Sequence, residues 1–136
     1  MTIGNSFNKS IDNLPDSLTH LTIGNSFNKS IDNLPKNLVY LNLGYYFQKS
    51  VDNLPKKLNY LIIGDSFNQS VDNLPNSLLY LSLGDSFSKS INKLPHNLIT
   101  LCVGPKFDGS TNTLCNSVKT FVINKHNKKL KKKLIT

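Results

Sequence analysis

The chain contains no alanine, glutamate, arginine or tryptophan. Ala, Glu and Arg are three of the strongest helix formers, so a helical bundle is excluded as a reading. The only acid is Asp and the only strong base is Lys, eight against sixteen, giving a net charge of +8 over 136 residues. Two cysteines, Cys102 and Cys115, are too few for a disulfide framework and point to a reducing, intracellular compartment. No run of about 18 apolar residues exists to cross a membrane. The start, Met1-Thr2-Ile3-Gly4-Asn5, has neither the basic nor the apolar segment of a secretory signal. Apolar content is 38%, slightly low for a globule, so a core needs its apolar residues at fixed recurring places.

They recur with a period of 20. Gly stands at 4, 24, 44, 64, 84 and 104, Phe at 7, 27, 47, 67, 87 and 107, and Ser at 10, 30, 50, 70, 90 and 110. Leu14 to Leu114 keep the same spacing, and Pro15, Pro35, Pro55, Pro75 and Pro95 follow them until Cys115 breaks the column. Residues 2–15 and 22–35 are identical. Such a fixed period marks a stacked repeat, in which no single turn buries its own apolar face.

One unit reads Leu18-x-x-Leu21-x-Ile23-Gly24-x-x-Phe27-x-x-x-Ile31-x-x-Leu34-Pro35. Its opening is the leucine-rich-repeat pattern, one short strand per turn. Alternation sends Leu21 and Ile23 inward and His20 and Thr22 outward. The return leg, rich in Asn, Ser and Asp and closed by Pro, disfavours helix. Irregular or 3₁₀ backbone is expected there, with room for a second short strand near Ser30–Asp32. The reading is a mainly β solenoid of about seven parallel strands, with little helix outside the C-terminal tail. The Gly column requires either a positive φ or a close backbone approach. The Ser column and the Asn13, Asn33, Asn53, Asn73 column are expected to form ladders that satisfy turn backbone groups.

Phe27-Asn28, Ile31, Leu34-Pro35 and the return through Leu-x-x-Gly-x-x-Phe resemble the FNIP repeat family, a leucine-rich-repeat variant. The resemblance covers about residues 1–118. Gln48, Ser88 and Asp108 depart from it where Asn28 stands, and the period is slightly shorter than usual for the family. Some members carry an F-box, which implies substrate recognition for ubiquitin ligation. No segment here is left over for one.

The division expected is a six-turn solenoid over 1–118 and a last strand or cap with a Lys-rich tail over 119–136. Met1 falls in the Leu21 column, so the first strand is expected to present an open edge suited to self-association. Residues 1–118 hold nine Lys and eight Asp, and residues 119–136 hold seven Lys and no acid. The tail carries Lys125, Lys128, Lys129, Lys131, Lys132 and Lys133. Three readings stay open for it. Leu130 and Leu134 suit a helical cap. The lysines suit nuclear import or non-specific contact with nucleic-acid phosphates. They also suit an anionic membrane surface.

Catalytic constellations are missing from the pattern. His20, His96 and His126 occupy three different repeat slots, and no Cys-x-x-Cys or phosphate loop occurs. The Asp12, Asp32, Asp52, Asp72 column beside Lys9, Lys29, Lys49 and Lys89 reads as a solvated edge of mixed charge rather than a calcium site. No enzyme activity, metal or cofactor is expected. The outward strand columns remain: His20, Tyr40, Tyr60 and Tyr80, with Asn42 and Ile62 alternating beside them. Aromatic stripes of this kind are enriched at protein interfaces. The sequence therefore reads as a scaffold that binds another protein on its open sheet face, located in the cytoplasm, with the Lys tail as an alternative address to the nucleus or to polyanions.

Overall fold

The computed structural model describes residues 1–109, 114, 116–125 and 128–134, with side chains placed as far as Ile123. One eight-stranded sheet runs in strict chain order. Its strands are β1 (Thr2–Ile3), β2 (His20–Ile23), β3 (Tyr40–Leu43), β4 (Tyr60–Ile63), β5 (Tyr80–Leu83), β6 (Thr100–Val103), β7 (Thr120–Lys125) and β8 (Lys128–Leu134). The first seven are parallel, and each residue pairs with the residue twenty positions on, as Leu21 does with Leu41 and Leu41 with Leu61. The register equals the sequence period, so identical side chains stack at each turn.

That stacking builds the core. Leu21, Leu41, Leu61, Leu81 and Leu101 are buried, as are Ile23, Leu43, Ile63, Leu83 and Val103 two residues on. Behind them Phe27, Phe47, Phe67 and Phe87 form a spine of near-parallel rings, with centroids 6.1 Å apart between Phe27 and Phe47 and 6.3 Å between the next two pairs. Phe107 continues the spine and meets Phe121 edge-on. Offset aromatic contacts of this kind add to the stabilisation from burial itself. At the β1 end the columns are less covered: Ile3, Phe7, Leu14 and Leu18 are only partly buried.

The return legs carry three tight turns per repeat, at 25–26, 32–33 and 36–37 in the second, and backbone bonds close the first and the third. Phe27 donates its N–H to the Gly24 carbonyl at 3.3 Å, and Leu38 donates to Pro35 at 3.1 Å, with the same pair of bonds in neighbouring turns. Ser30–Asp32 holds no strand, against the expectation. The backbone there is fixed locally, because the Ser30 hydroxyl accepts from the Asp32 N–H at 3.1 Å and donates to its carboxylate at 2.6 Å. Side-chain bonds of this type compete with sheet pairing.

The Gly column resolves in favour of close approach. A Cβ on Gly64 would lie 2.6 Å from Tyr45 Cα and 2.7 Å from the Gly44 carbonyl carbon, both backbone of the preceding turn. Of the readings left open for the C-terminal tail, the helical cap is not the one formed: Lys128–Leu134 is β8, an eighth strand antiparallel to β7. Ser110, Cys115 and His126 lie outside the described residues.

Candidate functional site

Two faces of the solenoid carry organised polar or aromatic side chains. On the return leg, two ladders run along the stack. In the first, Asn33 donates its side-chain amide to the Asp12 carboxylate at 3.1 Å, Asn53 to Asp32 at 2.9 Å and Asn73 to Asp52 at 3.1 Å. The Ser column satisfies turn backbone as anticipated, whereas the Asn column binds carboxylates and not backbone. Lys93 stands where the Asn column would continue and makes an exposed ion pair with Asp72 at 3.9 Å, a contact worth little in water. Asp12 and Asp32 are held below the usual carboxylate range, chiefly by the Ser10 and Ser30 hydroxyls and next by the Asn33 and Asn53 amides.

In the second ladder, Asn8 Oδ1 accepts the Asn28 N–H at 2.9 Å, Asn28 Oδ1 accepts that of Gln48 at 3.0 Å, and Asn68 Oδ1 accepts that of Ser88 at 3.0 Å. The receiving residue contributes only its backbone in this bond, which is why Gln48 and Ser88 are accommodated in an Asn column. An open groove of about 670 Å³ lies on this side, between Asp12, Asp32 and Lys36, Lys56, Lys57, with Leu34 and Leu54 in its lining. Its lining has no His or Cys. Among the described residues no three His, Cys or Asp side chains gather as a metal site.

The sheet face is different in kind. Pairing aligns His20, Tyr40, Tyr60, Tyr80, Thr100 and Thr120 in one row, and Thr22, Asn42, Ile62, Ser82 and Cys102 in the next. His20 stacks on Tyr40 with centroids 5.8 Å apart, and Tyr60 stacks on Tyr80 at 5.9 Å. Tyr60 is 45% exposed, while Tyr40, Asn42, Ile62 and Tyr80 are half-buried. Beyond Tyr80 the row meets Cys102, whose Sγ lies 3.7 Å from the tyrosine hydroxyl. Burial, and then that thiol, push the Tyr80 hydroxyl up from its ordinary pKa. The row thus consists of two stacked ring pairs, His20 on Tyr40 and Tyr60 on Tyr80, with Asn42 and Ile62 in the adjoining row and the Cys102 thiol beyond Tyr80. Lys128, Lys129, Lys131, Lys132 and Lys133 lie along β8 and Lys125 closes β7.

Besides the second ladder, sequence reasoning passed over an aromatic pair. Tyr45 and Tyr46 follow Gly44 at the exit of β3, are 45% and 56% exposed, and pack edge-to-face with centroids 4.8 Å apart. The signal was present as a break in the repeat. The same two slots hold Asn5-Ser6, Asn25-Ser26, Asp65-Ser66 and Asp85-Ser86.

A protein whose crystal structure is described as a novel circular leucine-rich-repeat structure superposes with a TM-score of 0.82 at 38% sequence identity. The match covers 91% of this chain and 21% of that one, so the chain spans about a fifth of that protein's length. No curated protein matches the sequence. The FNIP repeat model matches three times in overlapping windows of two turns each, over residues 7–46, 27–66 and 47–86. With the parallel register and the Gly, Phe and Leu-Pro columns in place across those windows, the chain belongs to the FNIP repeat family, as an LRR-like parallel β-solenoid.

Proposed function

We propose that this solenoid is a non-enzymatic scaffold that binds another protein on its sheet face, with His20, Tyr40, Asn42, Tyr60, Ile62 and Tyr80 as the contact residues. The observation that carries this reading is the aligned, partly exposed row from His20 to Tyr80. A four-residue strand repeated in register offers rigid rings, which give contact area at low entropic cost. Solenoids use such extended faces for partners. Against catalysis stands the near-translational symmetry of the chain, since a reaction centre needs an irregular, preorganised constellation.

Partner recovery from the native cell by the wild-type chain and by a Tyr40→Ala, Tyr60→Ala, Tyr80→Ala triple variant tests the proposal. Each anchor is expected to contribute about 1–2 kcal/mol if buried on binding. Unchanged recovery by a variant with wild-type circular dichroism would refute it. The rival reading, contact with nucleic acid or an anionic membrane through Lys125 to Lys133, separates by salt. A tyrosine-face complex should respond weakly to ionic strength and a lysine complex steeply.

A further inference from the structure

The exposed Tyr45–Tyr46 pair is not absorbed by the sheet-face reading, for it lies on the rim beyond the strand exit. Four neighbouring turns place Asn or Asp followed by Ser there. The backbone does not need the tyrosines. Tyr46 donates its N–H to the Asn25 carbonyl at 3.0 Å, just as Ser26 donates to Asn5 and Ser66 to Tyr45. The Tyr45 N–H also takes the Asn25 side-chain oxygen at 3.4 Å, as the Asn25 N–H takes that of Asn5 at 3.3 Å. Two large rings therefore occupy slots that polar residues fill without loss of any of these bonds, and they remain about half exposed.

Their geometry has a chemical meaning. The rings meet edge-to-face at 73°, and both stay about half exposed, so aromatic surface of the pair faces solvent. Aromatic faces attract cations through the ring quadrupole, and rings of this kind are the usual surroundings of bound ammonium groups. The next turn places Asp65 in the Tyr45 slot, and the following turn Asp85. Asp65 is half-buried, and among the described residues no cation stands within ion-pair reach of it. The rim thus carries an exposed aromatic pair in one turn and an aspartate in the equivalent slot of the next.

We propose that Tyr45, Tyr46 and Asp65 form a rim site that takes an organic cation, the ammonium or guanidinium of a Lys or Arg side chain on the bound protein. The identity of the partner as a protein rests on the sheet-face reading; the cation preference of the rim does not. It gives that partner a polarity: its basic side chain lies at the strand-exit rim of turns three and four.

The test reads the rim directly, without a partner. Isotope-labelled protein is titrated with N-acetyl-arginine amide, N-acetyl-lysine amide, its trimethyl-lysine analogue and the uncharged N-acetyl-norleucine amide, and resonances of Tyr45, Tyr46 and Asp65 are followed. Saturable shifts confined to the rim are expected with the cations and absent with norleucine. The order among the three cations identifies the head group preferred. The Tyr45→Asn, Tyr46→Ser variant, which restores the turn-two sequence and so keeps the fold, should lose the shifts. Asp65→Asn should weaken binding by about 1.4- to fivefold, the range of an exposed ion pair. The Tyr40, Tyr60, Tyr80 triple alanine variant should keep them, so failure of the sheet-face reading leaves this result standing. Equal shifts with norleucine, or shifts that survive the Tyr45→Asn, Tyr46→Ser change, would overturn the proposal.

Discussion

Asn53 reaches back one full turn to donate its amide to the Asp32 carboxylate at 2.9 Å, while Ser30 donates to the same carboxylate from two residues away. The ionised form of Asp32 is thereby favoured in the fold, as that of Asp12 is by Ser10 and Asn33. A carboxylate whose folded pKa is depressed contributes stability above its unfolded pKa, and this is lost as pH falls through the folded value. The contribution should be intact at neutral pH and disappear below the ordinary Asp value of 3.8. Denaturant midpoints measured from about pH 6 to pH 2 should fall at the acid end, and Ser30→Ala should shrink the fall. An unchanged acid limb in that variant would remove Ser30 from the account.

Phe67 lies between Phe47 and Phe87 with no exposed surface. Phe67→Ala removes a ring from the middle of the spine and leaves a cavity that two stacked neighbours cannot close. The expected cost is about 3–5 kcal/mol, a large share of a small domain's stability. Thermal or denaturant melting measures it, and a barely shifted midpoint would place the ring outside the cooperative core.

Gly64→Ala should destabilise for a different reason. The added methyl meets backbone of turn three, 2.6 Å from Tyr45 Cα, where no flexible side chain can yield. Overpacking of this kind costs about 1–3 kcal/mol. Gly4→Ala is its control, since a Cβ there meets nothing within 4 Å. The control should melt close to wild type or slightly above it, because Ala lowers the entropy of the unfolded chain, and equal losses in both variants would rule out the backbone contact as the cause.

For the polypeptide of residues 1–136 taken by itself, we propose that the β1 edge associates with a second copy at high concentration. Ile3, Phe7 and Leu14 are only partly buried there, and with Met1 and Ile11 they line a hollow of about 440 Å³. Edge strands with unpaired backbone and apolar ends recruit further strands. Sedimentation velocity across a concentration series should show a shift toward dimer, and Ile3→Lys should abolish it. A chain that stays monomeric throughout would show that this edge is already protected.

Much of the architecture was legible because translational symmetry turns one assignment into six. Once Leu21, Ile23 and Phe27 face inward, so do Leu41, Leu43 and Phe47, and the register follows from the period. The tail was ambiguous for a definite reason. Leu130 and Leu134, four apart, share a face both in a helix and in a strand, so their spacing cannot choose between the two. The second ladder escaped notice because Asn8, Asn28 and Asn68 act on the backbone of the following turn, which no side-chain pattern reveals. Tyr45 and Tyr46 were overlooked for the opposite reason: attention to what recurs hides the place where the repeat is broken.

The strict twenty-residue register also sets the step in which such a chain can change length. Every parallel strand pair, both side-chain ladders and the contacts of Gly24, Gly44, Gly64, Gly84 and Gly104 join a residue to one twenty or so positions away. Removing or duplicating one whole turn hands each of these partners an equivalent substitute. Removing nineteen residues shifts every later strand by one, which moves its core side chains to the solvent face. Growth and shrinkage by whole turns therefore preserve the architecture while adding or removing one turn's interfaces, and residues 2–15 and 22–35, identical in sequence, could exchange places without changing any of these contacts in kind.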